Sequence, residues 1–273
     1  MMIFDPDSSI LVVFCRRPAP GVGKQRIAAE LGQSAAYEVA KLLLAATLED
    51  AAAWPGPVVI APASAADSAW AAELLPQARV IAQRSGNLGT RIHDVQAQIY
   101  ELGGQRIVFI GSDSPGLTPQ LIHAAFAQLE HTDTIFIPAR DGGVTLMGSR
   151  QPWPDLADLP WGSANLGAAL ITCCQEAGMS IGELDSGFDI DTRQDLADAA
   201  DLLAKDPRPA RAKLRAWILA NDIVTDFPAA SAQRVSIIIP VFEDLPELRR
   251  LLRHSSSLQP RADEVIVVDG ACS

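Results

Sequence analysis

Residues 106–115 read RIVFIGSDSP, and this stretch is the most informative feature of the chain. Its apolar centre predicts a short buried strand, which ends where Gly111 delivers Ser112 and Asp113. Open α/β sheets bind their ligands at the carboxyl ends of parallel strands, so we expect these side chains at a binding edge. A carboxylate there can hold a divalent cation that also binds nucleotide phosphates. Asp is also a common helix N-cap, so Asp113 could instead cap a helix that starts near Pro119.

Similar apolar runs lie on both sides of this stretch and alternate with segments of helical periodicity. The predicted strands are residues 10–14, 58–61, 80–82, 107–110 and 134–137. The predicted helices between them are residues 27–53, 68–75, 88–102 and 120–129. The strands are almost entirely apolar, which is typical of strands buried on both faces. The sequence therefore predicts a three-layer α/β/α domain with a mostly parallel sheet.

The rest of the chain extends this domain and then begins a new pattern. Further predicted elements are helices at 165–177, 193–204 and 211–219 and a short strand at 181–184. We expect the first domain to cover residues 1–222 and a linker to cover 223–234. Residues 235–273 then form one βαβ unit, with strands at 235–240 and 264–269 around a helix at 246–258. This unit is too short to bury a core of its own, so either it docks on the sheet of the first domain or it is the truncated front of a second domain. We favour the second interpretation.

Composition limits the classes of partner and the location. The 273 residues carry 22 basic and 33 acidic side chains, a net charge of −11. This balance argues against a nucleic-acid partner, which needs a basic face. No apolar run approaches the roughly 18 residues of a membrane span, and the start lacks a signal-peptide pattern, so we expect a cytoplasmic protein. The four Cys and four His are too scattered for a zinc site. The composition is compatible with a homo-oligomer.

The segment after the first predicted strand reads RRPAPGVGKQR and starts at Arg16. Gly21 and Gly23 would let the backbone approach a phosphate, and Lys24 and Arg26 could neutralise it. The spacing fits neither a Walker loop nor a dinucleotide fingerprint. A loop that binds a nucleotide diphosphate and a solvated basic turn both fit the pattern.

Two glycine-containing motifs each allow two interpretations. Residues 86–89 read GNLG at a helix start, where Asn87 could contact a base or ribose or simply cap the helix. Asp141, Gly142 and Gly143 follow the fifth predicted strand. Paired glycines leave the backbone open to a sugar or another acceptor, but the same triplet also suits a hairpin turn.

A second group of carboxylates lies in the sequence Asp189-Ile190-Asp191-Thr192. In a strand, Asp189 and Asp191 would point to one face and could approach one cation. Asp191 or Thr192 could instead cap the following helix. Together with Asp113 and the phosphate-suited loop, the pair favours a site for Mg²⁺ or Mn²⁺.

In this order, the motifs resemble those of a known group. PGVGKQR, GNLG, GSDSPGLTP, ARDGG, W-x-S and DIDT-x-x-DL look like the bacterial "transferase 1, radical-SAM/selenodomain-associated" family over residues 8–205. That family has the Rossmann-like fold of GT-A glycosyltransferases and nucleotidyltransferases. ARDGG and FDIDTRQDL are also similar to 2-phospholactate guanylyltransferase. The tail, from VSIIIPVFEDLPELRRLL to EVIVVDGACS, resembles the opening of an inverting family 2 glycosyltransferase.

The resemblance implies a metal-dependent nucleotide-diphospho-sugar transferase with a nucleotide or nucleotide-sugar as its ligand. The residues implied in nucleotide or phosphate binding are Arg16, Gly21, Gly23, Lys24, Arg26, Asn87 and Ser112. Asp113 and Asp191 would hold the metal, and Asp113 and Asp141 would be catalytic. The acceptor side would include Gly142, Gly143 and Ser163. The fused tail favours sugar transfer, whereas nucleotidyl transfer and a nucleotide-binding domain that has lost catalysis are the alternatives.

Overall fold

The computed structural model describes residues 3–185 and 187–223, together with the strands Ser236–Val241 and Glu264–Asp269. The chain divides into two compact units, Met1–Val224 and Thr225–Ser273. None of the helices in the described part of the chain is long and apolar enough to cross a membrane.

A seven-stranded sheet forms the centre of the first unit. Its strands are β1 (Ser9–Cys15), β2 (Val58–Pro62), β3 (Arg79–Val80), β4 (Arg106–Ile110), β5 (Thr134–Pro138), β6 (Val144–Ser149) and β7 (Ile181–Glu183). Their order across the sheet is β3-β2-β1-β4-β6-β5-β7. Only β6 runs antiparallel to its neighbours, β4 and β5, among the strand pairs of this sheet. The prediction of a mostly parallel sheet is confirmed.

Helices cover both faces of the sheet. They are α1 (Gln25–Leu31), α2 (Gln33–Ala53), α3 (Ser68–Leu74), α4 (Leu88–Glu101), α5 (Pro119–Gln128), α6 (Leu166–Glu176), α7 (Arg193–Leu202) and α8 (Pro209–Ala220). Strand β1 shows why both faces need cover, because Ile10 and Val12 pack into one core and Leu11 and Val13 into the other. All four are fully buried. The three-layer architecture therefore follows from strands that are apolar on both sides.

Two elements differ from the predicted ones. The single helix expected over residues 27–53 is two helices, α1 and α2, separated by Gly32 with a φ of 87°. Glycine adopts this left-handed backbone readily, and α1 ends there. Strand β6 was not predicted, and it forms a hairpin with β5 around residues 139–143.

A third apolar cluster joins the helices at the two ends of the first unit. Residues of α1 and α2 pack there against α7 and α8. Beside the cluster, the fully buried Arg211 of α8 pairs with Asp50 and Glu49 of α2. Its guanidinium also donates to the carbonyls of Pro115, at 3.0 Å, and Leu117, at 2.9 Å. Arg211 thus ties both helices to the loop that follows β4.

The described part of the second unit is a pair of strands. β8 (Ser236–Val241) and β9 (Glu264–Asp269) pair in parallel, with Ser236 opposite Glu264 and Val241 opposite Asp269. The helix expected at residues 246–258 and most of the expected linker lie outside the described residues. The interpretation of this unit as the front of a second glycosyltransferase domain stays a prediction.

Candidate active site

Two cavities adjoin at the carboxyl ends of β1 and β4. The first, which we call the apolar cavity, has a volume of about 370 Å³ and is lined by Phe14, Cys15, Arg16, Ala63, Gln83, Leu88, Arg91, Ile92, Phe109, Ile110, Gly111, Ser112, Asp113, Val144, Thr145, Leu146, Met147, Trp161, Leu166 and Asp189. The second, the loop cavity, has a volume of about 240 Å³ and is lined by Arg16, Arg17, Pro18, Val22, Gly23, Lys24, Ala40, Ser112, Asp113 and Asp191. Both include Arg16, Ser112 and Asp113, so they form one cleft.

A larger groove of about 860 Å³ runs along the sheet edge beside β3. Its lining includes Arg79, Ser85 and Glu101 but none of the predicted site residues. The cleft, by contrast, lies at the strand ends where α/β sheets bind ligands and collects several predicted residues. We therefore take the cleft as the candidate site.

Lys24 connects the acidic residues of the cleft. Its ammonium lies 2.9 Å from Asp191 Oδ1 and 3.3 Å from Asp113 Oδ2, and it donates to the carbonyl of Ile190. The Lys24 side chain is only 12% exposed, whereas the two carboxylates are 42% and 46% exposed. Burial lowers the pKa of Lys24, but the attraction of Asp113 and Asp191 outweighs it and raises the pKa above its ordinary value. Lys24 is therefore charged and paired.

Asp113 does not cap the helix that follows it. Thr118 caps α5, because its side-chain oxygen accepts a hydrogen bond from the amide of Leu121 at 3.2 Å. The capping interpretation of Asp113 is wrong, and its carboxylate is left facing the cleft. The Asp113 carbonyl accepts from the Ile190 amide at 3.0 Å, which joins the loop after β4 to the segment before α7.

The second acidic motif divides its two carboxylates between the two cavities. Asp189 and Asp191 lie in a loop, not in the strand that was expected, and Thr192 caps α7 in a reciprocal capping box with Asp195. Asp191 reaches Lys24, while Asp189 lines the apolar cavity. Burial, followed by the nearby charges of Asp113, Asp141 and Asp191, raises the pKa of Asp189 to about 6. The expectation that both side chains lie on one face of a strand is therefore wrong.

The donor set for a metal ion consists of two carboxylates. Among the described residues, no group of three or more His, Cys, Asp or Glu side chains is arranged to hold a metal ion. Asp113 and Asp191 nevertheless both lie within 3.3 Å of one cationic group, the Lys24 ammonium. Mg²⁺ is commonly bound by one or two carboxylates together with substrate phosphates. The residues present fit a hard divalent cation that binds together with a phosphate.

The Asp-Gly-Gly motif forms a turn of the β5–β6 hairpin. Asp141 Oδ1 accepts from the Gly143 amide at 2.9 Å. Gly142 has a φ of 88°, and a Cβ there would lie 1.9 Å from the carbonyl oxygen of Ala164. The Gly142 carbonyl accepts from the Gly167 amide of α6 at 2.8 Å. The need for glycine at 142 is therefore explained by packing of the hairpin against the start of α6, not by an open approach for an acceptor.

The remaining predicted residues have varied surroundings. Asn87 caps α4 by accepting from the Thr90 amide at 3.0 Å, and it donates to the Ala157 carbonyl at 2.7 Å. Ser163 is exposed and accepts from the Asn165 amide at 3.3 Å. Arg26 is exposed on α1. The linings of the two cavities do not include Asn87, Arg26, Gly21, Gly142, Gly143 or Ser163. Their assigned roles stay predictions.

Sequence reasoning missed two polar residues of the apolar cavity. Arg91 donates to Gln83 Oε1 at 2.9 Å, and the buried Gln83 donates in turn to the Ala61 carbonyl at 2.7 Å. Burial, and then the nearby charge of Arg16, lowers the pKa of Arg91. Gln83 follows the short strand β3, so the same strand-end rule that indicated Asp113 could have indicated it. Arg91 lies one turn inside a helix and gives no such signal.

This arrangement of sheet, helices and strand-end cleft defines a Rossmann-like transferase fold, and comparison with known structures agrees. A protein from Desulfovibrio desulfuricans G20, described provisionally as a nucleotide-diphospho-sugar transferase, matches with a TM-score of 0.72 and 26% identity. The match covers 80% of this chain and 96% of that chain. The predicted nucleotide-diphospho-sugar transferase fold is thereby confirmed.

Residues 44–163 match the model of a family described as "Uncharacterized protein conserved in bacteria (DUF2064)". The narrower resemblances to a radical-SAM-associated family and to a family 2 glycosyltransferase stay predictions. No curated protein matches the chain.

More distant structures also match over most of their length. Rv0371c of Mycobacterium tuberculosis H37Rv, solved as a complex with manganese, gives a TM-score of 0.44 at 19% identity over 69% of this chain and 96% of that chain. A nucleotidyl transferase from Methanothermobacter gives 0.46 at 16% identity over 72% and 99%.

Proposed function

We propose that the first unit is a metal-dependent transferase that acts on a nucleotide-diphospho-sugar. The observation that carries this proposal is the junction of the two cavities at Ser112 and Asp113, beside the carboxylate pair that Lys24 joins. The similarity in fold to the Desulfovibrio protein supports the same class of substrate.

The shapes and linings of the cavities suit the two parts of such a substrate. Phe14 and Phe109 contribute aromatic surface to the apolar cavity, which suits a base or a sugar ring. The loop cavity is smaller and polar, and it includes the backbone of Gly23. A diphosphate in the loop cavity would thus lie beside the carboxylates of Asp113 and Asp191.

In this proposal, Asp113 and Asp191 hold Mg²⁺ or Mn²⁺ together with the diphosphate. When bound, such an ion neutralises the charge that develops on the leaving phosphate. Lys24 lies between the carboxylates and lines the loop cavity, so its ammonium is placed beside the phosphates. Ser112 lines both cavities and can donate its hydroxyl to the ligand at their junction. The contribution of these residues is mainly positioning and electrostatic stabilisation.

Nucleotidyl transfer is the second candidate, because two motifs of this chain are similar to 2-phospholactate guanylyltransferase. In that reaction class the acceptor attacks the α-phosphorus of a nucleoside triphosphate and releases pyrophosphate, whereas sugar transfer releases a nucleoside diphosphate. Assaying both products with nucleotide-sugars and nucleoside triphosphates as donors would separate the two candidates.

Ligand-induced stabilisation tests the proposal directly. We expect at least one nucleotide or nucleotide-sugar to raise the melting temperature in the presence of Mn²⁺, since a ligand at 100 times its dissociation constant stabilises by about 2.7 kcal/mol. Asp113→Asn should remove the part of the shift that depends on Mn²⁺. Asp198→Asn is a matched control, because its carboxylate is similarly exposed, at 41%, and also forms an ion pair.

The proposal would be overturned if no nucleotide or nucleotide-sugar stabilised the protein with or without Mn²⁺. A shift that depends on Mn²⁺ and is unchanged in Asp113→Asn would overturn the metal assignment alone.

A further inference from the structure

The charges in the cleft are divided between two groups of residues. Asp113, Asp191, Asp189 and Lys24 are brought together around the loop cavity and its junction with the apolar cavity. The positive charge of Lys24 is already balanced by two carboxylates at 2.9 and 3.3 Å. This group is therefore net negative, and Lys24 alone does not supply the positive charge that an anionic ligand needs.

The second group consists of Arg16 and Arg91. Arg91 lines the apolar cavity, and Arg16 lines both cavities. Neither guanidinium has a carboxylate partner within 4 Å among residues 3–185 and 187–223. Both arginines line the same cavity of a chain whose net charge is −11. The two like charges repel each other, which disfavours the charged form of Arg91, and an anion bound between them would remove this effect.

We propose that Arg16 and Arg91 form an anion subsite that takes a phosphoryl group of a substrate. This inference rests on the proposed function and deepens it, because it adds Arg91 to the expected phosphate-binding residue Arg16 and makes the two arginines one subsite. The subsite and the carboxylate pair share one cleft, so a single substrate phosphate chain can reach both.

The surroundings of Arg91 prepare it for this role. Its Nη1 donates to Gln83 Oε1 at 2.9 Å, and Gln83 is itself fixed by donating to the Ala61 carbonyl at 2.7 Å. These contacts fix the guanidinium and leave further N–H groups for a ligand. A planar guanidinium with parallel donors matches a phosphate in a way that a lysine does not.

Binding of pyrophosphate in metal-free buffer tests the subsite. We expect Arg16→Met and Arg91→Met each to weaken binding about tenfold or more, as the loss of a charge-assisted hydrogen bond would. Arg91→Lys keeps the positive charge but lacks the parallel N–H donors of the guanidinium. Its affinity for pyrophosphate should therefore lie between those of wild type and Arg91→Met. Arg84→Met removes the same charge from an exposed residue outside the cleft and should change the affinity by less than about twofold. Melting temperatures measured without ligand check that each variant folds.

The phosphoryl group could belong to the nucleotide or to the second substrate. If Arg91→Met weakens binding of a nucleoside diphosphate, the subsite takes the phosphate of the nucleotide. If it leaves that affinity unchanged but weakens binding of inorganic phosphate to the nucleotide-loaded protein, the subsite takes a phosphate of the second substrate.

The inference would be overturned if wild type bound no pyrophosphate, or if folded Arg16→Met and Arg91→Met bound pyrophosphate as wild type does. Failure of the proposed function looks different. In that case no nucleotide or nucleotide-sugar would bind, while pyrophosphate binding would still depend on both arginines.

Discussion

At the scale of single residues, the cleft holds acidic side chains at a cost to stability. Asp113 and Asp191 each form an ion pair with Lys24, whereas Asp189 does not. Burial and three neighbouring carboxylates raise the pKa of Asp189 to about 6. A raised pKa means that the folded state binds this proton more tightly than the unfolded state does. Asp189 therefore favours folding below its native pKa and opposes folding once it is charged.

Asp189→Asn should for this reason stabilise the protein at pH 7 and have little effect near pH 4. Because the side chain is only partly buried, we expect a gain in unfolding free energy on the order of 1 kcal/mol. The wild-type protein should lose this stability as the pH rises from about 4 through 6, and the variant should not. Urea unfolding in the presence of EDTA across this range measures the difference.

Asp158→Asn serves as the control, because Asp158 is exposed in the loop before α6. Its substitution should change stability by less than about 0.5 kcal/mol at every pH. An equal effect of Asp189→Asn at pH 4 and pH 7 would contradict the explanation by burial and neighbouring charge.

At the scale of elements, the β5–β6 hairpin shows how a short motif serves packing. The turn residue Gly142 is left-handed and lies so close to the Ala164 carbonyl that no Cβ fits. The turn also accepts a hydrogen bond from the Gly167 amide of α6. The hairpin that carries Asp141 is therefore held against α6 through backbone atoms.

Gly142→Ala should accordingly destabilise the protein far more than a left-handed backbone alone requires. The backbone conformation costs about 1–2 kcal/mol and the forced movement of the hairpin adds about 1–3 kcal/mol. Gly162→Ala is the matched control, since Gly162 has a φ of 80° and no atom would lie within 4 Å of a Cβ there. Denaturant unfolding of both variants should separate the cost of the left-handed backbone from the cost of moving the hairpin. Equal losses of unfolding free energy in the two variants would contradict the packing explanation.

The elements that could be predicted from the sequence are those whose residues carry the signal themselves. Strands β1, β2, β4 and β5 are continuous apolar runs, and their positions were predicted to within two residues. Strand β6 was missed because Gly148 and Ser149 interrupt its apolar pattern, although both pair with neighbouring strands. The break at Gly32 was missed because a glycine within a helical pattern does not reveal its φ.

The candidate site was predictable in part for a similar reason. Asp113 follows a strand that is easily recognised, so its place at the sheet edge could be inferred. The pairing of Lys24 with Asp113 and Asp191 could not, because it depends on the left-handed backbone of Lys24, with a φ of 46°, and on the path of the loop before α7. The sequence alone indicated a phosphate ligand for this lysine, not two carboxylates.

At the scale of the whole first unit, Arg211 links helices far apart in the chain to the candidate site. It is fully buried, and its donors are used by Asp50, Glu49 and the carbonyls on either side of Gly116. Those carbonyls belong to the loop that follows β4 and contains Asp113. Helix α8 thus supports this loop through hydrogen bonds to its backbone.

Arg211→Met should destabilise the first unit by about 3–5 kcal/mol, since it leaves Asp50 buried with part of its pairing removed. Arg208 also pairs with Asp50 and limits this loss. Arg215→Met, which removes a partly buried arginine of the same helix with a single hydrogen bond to the Ala200 carbonyl, should cost about 1 kcal/mol. Urea unfolding measures both, and similar losses in the two variants would contradict a special role for Arg211.

The contacts of Lys24 have a consequence for the synthesis of the chain. Lys24 meets a carboxylate 89 positions away and another 167 positions away. A growing chain that has not yet reached Asp191 therefore lacks one wall of the cleft, however well its first strands have paired. The cleft is complete only late in translation, after the segment that carries Asp191 has been synthesised.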